Sequence, residues 1–150
     1  MKPRMTVEER RSTAIHEAGH VIVAWTLGLP VGAMEIGLNG DDTAGKSEIA
    51  DTGSLSMVDR IALCAAGLQA ERLFGCETMH ERAGWSDAAK MVEILDDLPS
   101  EEADEIRFNG YDRAFQILDT QHSLIERLAE PLAIIGRLEE RDVRSLLSLP

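Results

Sequence analysis

His16-Glu17-Ala18-Gly19-His20 interrupts an otherwise apolar stretch, AIHEAGHVIVAW, at residues 14–25. Burying a carboxylate and two imidazoles is expensive unless something compensates them. Residues four apart on a helix differ by about 40° around its axis, so the two imidazoles project from one face, one turn apart. Two neutral imidazoles placed so can take adjacent corners of a tetrahedral zinc site. Glu17 lies about 100° round, beside the ion and not on it. There its carboxylate can accept a proton from a zinc-bound water, whose pKa the metal lowers towards 7. The HExxH spacing therefore predicts Zn²⁺ held by His16 and His20, with Glu17 as the catalytic base.

Catalytic zinc takes a third protein ligand and keeps one position open. A metzincin would continue HExxHxxGxxH, but the corresponding positions hold Val23 and Thr26, which excludes that class. Glu71, His80, Glu81, Asp87 and His122 are the remaining candidates. Asp87, in AGWSDAAKMV, is expected at the start of a helix, where it could ligate the ion or, like Ser86, simply cap the helix. Glu71, in GLQAERLF, could ligate, hydrogen-bond a ligand histidine or pair with an arginine. His80 and His122 stand alone and read as surface or partly buried histidines. Residue types and spacing leave the third ligand open.

The elements that must position these groups read as mostly helical. TVEE places Glu9 three residues after Thr6, a capping box that opens the first helix; Gly28 and Pro30 end it. VGAMEIGL (31–38) alternates as a strand should, and NGDDTAGKS (39–47) is turn chemistry. Lys46 in that stretch is assigned to the turn and not to a phosphate loop. SMVDRIALCAAGLQAERLF (56–74) is a helix ended by Gly75, and its Ala65-Ala66-Gly67 suggests close approach of another backbone. CETMHERAGW (76–85) reads as a loop before a helix from Ser86 or Asp87 to about Leu98. Further helix starts near residue 100, and a long segment runs from about Tyr111 towards Gly136, interrupted at Pro131. EERDVRSLLSL forms a last short helix. The expected architecture is one mainly α domain over residues 1–150, with one small strand or hairpin element after the first helix.

Bulk composition narrows the function classes. Twenty-seven acidic residues against fifteen basic ones leave a net charge of −12, which repels a phosphate backbone and argues against nucleic-acid binding. The N-terminal MKPRMTVEERRS is charged where a secretory leader needs an apolar core. The longest uncharged run, residues 21–34, is too short to span a bilayer and contains Pro30. Cys64 and Cys76 form no CxxC pair and read as packing residues of a reduced, cytoplasmic protein. The runs ERR (9–11), EEADE (101–105) and EERDVR (139–144) read as solvated helix faces. Trp25 and Trp85 read as packing residues, either of which could line a cleft wall.

The ordered segments STAIHEAGHVIVAW, AAGLQAERLFG and GWSDAAKMVEIL resemble the protease domain of the FtsH-type ATP-dependent zinc metalloproteases. The resemblance covers nearly all 150 residues, leaving no room among them for that family's ATPase module and membrane helices. It implies a helical, zincin-like domain with His16, His20 and Asp87 as metal ligands and Glu17 as base. Ala66-Gly67-Leu68-Gln69-Ala70-Glu71 matches a GGxxAE-type segment with Ala66 for the first glycine, which makes Glu71 a residue supporting the ligands. The implied activity is zinc-dependent endopeptidase cleavage of peptides or unfolded proteins, fed by diffusion or by a partner unfoldase acting in trans, with self-assembly into rings open. The alternative is a zinc-stabilised binding or regulatory domain, derived from a protease, that no longer cleaves.

Overall fold

A computed structural model describes residues 5–37, 45–49, 52–76 and 81–150, with 45–48 and 81–85 described by their backbone alone. Helix α1 spans Val7–Thr26. The Thr6 hydroxyl accepts from the Glu9 amide at 3.0 Å, and the Thr6 amide donates to the Glu9 carboxylate at 3.2 Å, which is the capping box the sequence predicts. From Ser12 to Ala24 every residue of α1 is buried, so the helix is covered on all sides and not along one stripe. Helices α2 (Met57–Leu73) and α5 (His122–Ile135) pack against it, and a small sheet closes another side.

That sheet has three antiparallel strands, β1 (Val31–Ile36), β2 (Gly45–Ile49) and β3 (Arg137–Leu138), in the order β2-β1-β3. Glu35 pairs with Lys46 on one side and Arg137 on the other, and Arg137 donates to the Glu35 carboxylate at 3.0 Å. The predicted turn is thus partly strand: Gly45, Lys46 and Ser47 pair with β1, while residues 38–44 lie outside the described residues. Residues 40–47, GDDTAGKS, do spell the phosphate-loop pattern GxxxxGK[ST]. A phosphate loop, however, opens a helix at its Lys-Ser, and here those two residues run along a strand. β3 is too short to show alternation in sequence; it follows Gly136, whose positive φ of 90° ends α5 and whose carbonyl accepts from the Ile36 amide at 2.9 Å.

The remaining helices are α3 (Glu81–Leu95), α4 (Ser100–Asp119) and α6 (Glu140–Leu147). Two sequence expectations need correction here. Residues 81–85 are helix and not loop, so Ser86 and Asp87 lie inside α3 and cap nothing; residues 77–80, where an initiating signal would sit, are outside the described residues. The break after Tyr111 falls at Thr120-Gln121 and not at Pro131. There the Gln121 amide turns back to the Leu118 carbonyl at 2.9 Å, and the reversal lets both Leu118 and Ile125 enter the core. Proline in α5 removes only its own amide donor to the Arg127 carbonyl, and the helix continues through it.

Arg10 corrects a third expectation. It is half-buried, and its guanidinium donates to the Ala133 carbonyl at 2.7 Å and to that of Ile134 at 3.4 Å. A cation on the free carbonyls at the end of α5 satisfies groups that the helix cannot. Cys64 and Cys76 are half-buried against the core, Trp25 is exposed, and the Trp85 side chain lies outside the description. No helix among the described residues is long and apolar enough to cross a membrane.

The α1–α2 contact is close because small residues line it. A Cβ on Gly19 would lie 2.6 Å from the Ala66 carbonyl oxygen and 2.7 Å from the Ala70 Cβ, and one on Gly67 would collide with the His16 ring. In an open helix, replacing glycine by alanine is stabilising by about 0.5–1 kcal/mol. Gly19→Ala is expected to reverse that sign and cost about 1–3 kcal/mol through overpacking against a main-chain atom, measured as a fall in the urea unfolding midpoint.

Candidate metal centre

His16 and His20 stand one turn apart on the buried face of α1 that meets α2 and α3. Their Nε2 atoms are 3.1 Å apart, and Asp87 Oδ2, from α3, lies 3.0 Å from the first and 3.1 Å from the second. A tetrahedral ion with bonds of about 2.0–2.1 Å sets its ligand atoms roughly 3.3 Å apart, so this triangle has the size of one face of such a site. The three side chains form a group that could hold a metal ion.

The other ring nitrogens explain why those Nε2 atoms are available. His20 Nδ1 lies 2.7 Å from the Leu63 carbonyl on α2. A carbonyl only accepts, so Nδ1 carries a proton, and it is Nε2 that faces the triangle. His16 Nδ1 lies 3.1 Å from Glu71 Oε2, and donation to that carboxylate leaves the second Nε2 facing the triangle in the same way. Two ring nitrogens and a carboxylate oxygen thus point at one another, a repulsive arrangement unless a proton or a cation sits among them.

Titration behaviour expresses the same tension. Burial disfavours the His16 imidazolium, but the hydrogen bonds to Asp87 and Glu71, reinforced by the charges of Glu17 and Asp87, outweigh it and hold the pKa at about 10. Burial likewise raises the Asp87 pKa, yet the hydrogen bonds and charges of His16 and His20 prevail and keep it well below the usual carboxylate range. Burial pushes the neighbouring Cys64 thiol up to about 11, with Asp87 adding to the rise and Lys90 opposing it. The thiol is therefore neutral near pH 7 and no ready anionic ligand.

A cavity of about 500 Å³ opens over the triangle. It is lined by His16, Glu17 and His20 of α1, by Arg60, Leu63 and Cys64 of α2, and by Ser86, Asp87, Lys90, Glu93 and Ile94 of α3. Glu17 is only 5% exposed yet lines this space next to the candidate ligands. Glu71, 4% exposed, contacts the far side of His16 and stays out of the triangle. His122 is placed elsewhere, 3.9 Å from Asp119 on an exposed surface. His80 and the Glu81 side chain fall outside the described residues. Sequence reasoning missed the Leu63 carbonyl, which no side-chain pattern marks, and the two cations of the cavity wall.

No family model matches the chain, and no curated protein is similar enough to it to be matched.

Stripped of metal, the protein should show the proton's part in the site through its stability. His16 has a folded pKa of about 10 against 6.5 unfolded, so its contribution is complete below about pH 6.5 and is lost as pH rises through 10. Asp87, depressed when folded, contributes above its ordinary value near 3.8 and loses that contribution on acidification. Urea unfolding in the presence of chelator is expected to show a midpoint that falls from pH 6.5 to 10. Saturating Zn²⁺, which replaces the proton, should flatten that slope.

Proposed function

We propose that this chain is a zinc-dependent metallopeptidase of helical, zincin-like type that hydrolyses peptide bonds in peptides or unfolded proteins. The observation that carries the reading is the convergence of His16 Nε2, His20 Nε2 and Asp87 Oδ2 at 3.0–3.1 Å beneath an open cavity that Glu17 also lines. A purely structural zinc site is normally closed by four protein ligands. Among the described residues only these three form such a group, and they face a space large enough for substrate. The resemblance to FtsH-type protease domains favours the same reading, since its HEAGH segment and its aspartate fall on these three residues.

In this reading His16, His20 and Asp87 hold the ion. When bound, the ion supplies Lewis acidity that polarises the scissile carbonyl and acidifies water at the site. Glu71 and the Leu63 carbonyl fix the two rings by taking their Nδ1 protons, so the ligands need no reorientation. Glu17 accepts a proton at its carboxylate and returns it to the leaving amine. Its buried position in the lining confines that transfer to whatever occupies the cavity. Substrates must reach the site as extended, unfolded segments, whether by diffusion or handed over by an unfoldase.

Glu17→Gln is expected to retain about one equivalent of zinc and to lose peptidase activity on casein or a fluorogenic peptide by about 10²–10⁴-fold. Asp87→Ala and His16→Ala should lose most of the metal, measured by elemental analysis after dialysis against a weak chelator. Undiminished hydrolysis by a pure Glu17→Gln preparation overturns the mechanism. A zinc-loaded wild-type protein that cleaves nothing would point instead to a binding or regulatory domain stabilised by the ion.

A further inference from the structure

Arg60 of α2 and Lys90 of α3 both line the cavity. In a chain with 27 acidic and 15 basic residues, cations are scarce, and among the described residues they are held in several ways. Arg10 and Arg127 cap helix ends, and Arg107, Arg113, Arg137 and Arg144 each pair with a carboxylate. Among the described residues, Arg60 and Lys90 have no carboxylate within ion-pair distance; Arg11, Arg72 and Arg141 share that, but of these five only Arg60 and Lys90 line the cavity. Asp59, beside Arg60, is paired to Arg113 at 2.7 Å, and Glu93, one turn beyond Lys90, lies outside ion-pair range of it.

Arg60 is held in place by main-chain carbonyls. Its guanidinium donates to the Leu55 carbonyl at 3.2 Å and the Gly53 carbonyl at 3.1 Å, neutral acceptors that orient the group and leave its charge. Lys90 is exposed and sits three residues after Asp87 on α3, so one helical turn, about 5–6 Å between Cβ atoms, separates it from the candidate metal ligand. An extended peptide advances about 3.3–3.6 Å per residue. That separation spans about one to two residues of an extended peptide, so a group bound by Lys90 belongs to a residue one or two positions from the one held over the triangle.

Resting on the peptidase reading for the identity of the ligand as a peptide, we infer that this cavity selects peptides carrying a carboxylate within about two residues of the bond held over His16, His20 and Asp87, with Lys90 as the specificity-determining residue and Arg60 reinforcing its field. The carboxylate is either an acidic side chain or a free chain terminus, since both present the same anion at that range. Neutral peptides bind through the apolar lining of Ile49, Leu63 and Ile94 without this increment.

Binding separates this proposal from catalysis. The full-length Glu17→Gln protein, loaded with Zn²⁺, is titrated with labelled hexapeptides by fluorescence anisotropy. One arm compares glutamate with glutamine at each internal position of a peptide amidated at its C-terminus; the other compares a free with an amidated C-terminus in a peptide without acidic side chains. The expected result is binding about threefold or more tighter for the carboxylate form in one arm, fading as salt rises. In Lys90→Gln the ratio should fall to about one, and Lys90→Arg should restore it. Equal affinities in both arms, or an unchanged ratio in Lys90→Gln, overturn the inference. Because the readout is binding, a wild-type protein that binds acidic peptides but cleaves none defeats the peptidase reading and leaves this selectivity standing.

Discussion

Two imidazole nitrogens and a carboxylate oxygen within 3.0–3.1 Å of one another, which need a proton or a cation among them, form the constraint on which the rest of this structure depends. Two imidazole lone pairs and a carboxylate would drive one another apart in a protein with nothing between them. They are held together by bonds that leave no other choice: the Leu63 carbonyl takes one ring proton and Glu71 the other. The surrounding fold is arranged to keep these partners in register. α1 is covered on every side, α2 lies against the ring nitrogens that face away from the triangle, and α3 brings the carboxylate from across the cavity.

That arrangement demands unusual closeness between α1 and α2. The His16 ring occupies the place where a side chain on residue 67 would project, and the Ala66 carbonyl occupies the place for one on residue 19. Two glycines and a run of alanines therefore act on the candidate site, because they set how near α2 can bring its acceptors to the imidazoles. Glycine within a helix is entropically costly, and here the cost is offset by the contacts it permits.

Much of this was legible in the chain. The capping box at Thr6, the helix carrying HEAGH, the left-handed stop at Gly75 and the small-residue seam at Ala65-Ala66-Gly67 all rest on local rules, and each appears where those rules place it. What escaped depends on partners remote in sequence. β2 and β3 exist because β1 offers edges to pair with, not because their own residues alternate. α3 begins earlier than AGWSD suggests, since nothing in that stretch forbids helix and the core rewards it through Met91 and Leu95. Pro131 was a weaker stop than the burial of Leu128 and Leu132 was a reason to continue. Arg10 read as a solvated charge because its acceptors lie 123 and 124 residues away. In the candidate site, the spacing of the histidines pointed to an ion, whereas the carbonyl that sets the His20 tautomer is main chain and leaves no mark in a string of side chains.

The bond from Arg10 to the end of α5 and the pairing of β1 with β3 both join the first quarter of the chain to its last. All three candidate ligands lie within the first 95 residues, so a growing chain holds every donor atom well before the cover over α1 arrives. Contacts of such long sequence separation close late, after their loop entropy has been met. During synthesis, then, the ligand helix has an unshielded apolar flank until residues 125–138 dock. An ion captured in that interval would meet side chains still exchanging with solvent, and the arrival of the C-terminal third would be the event that traps it.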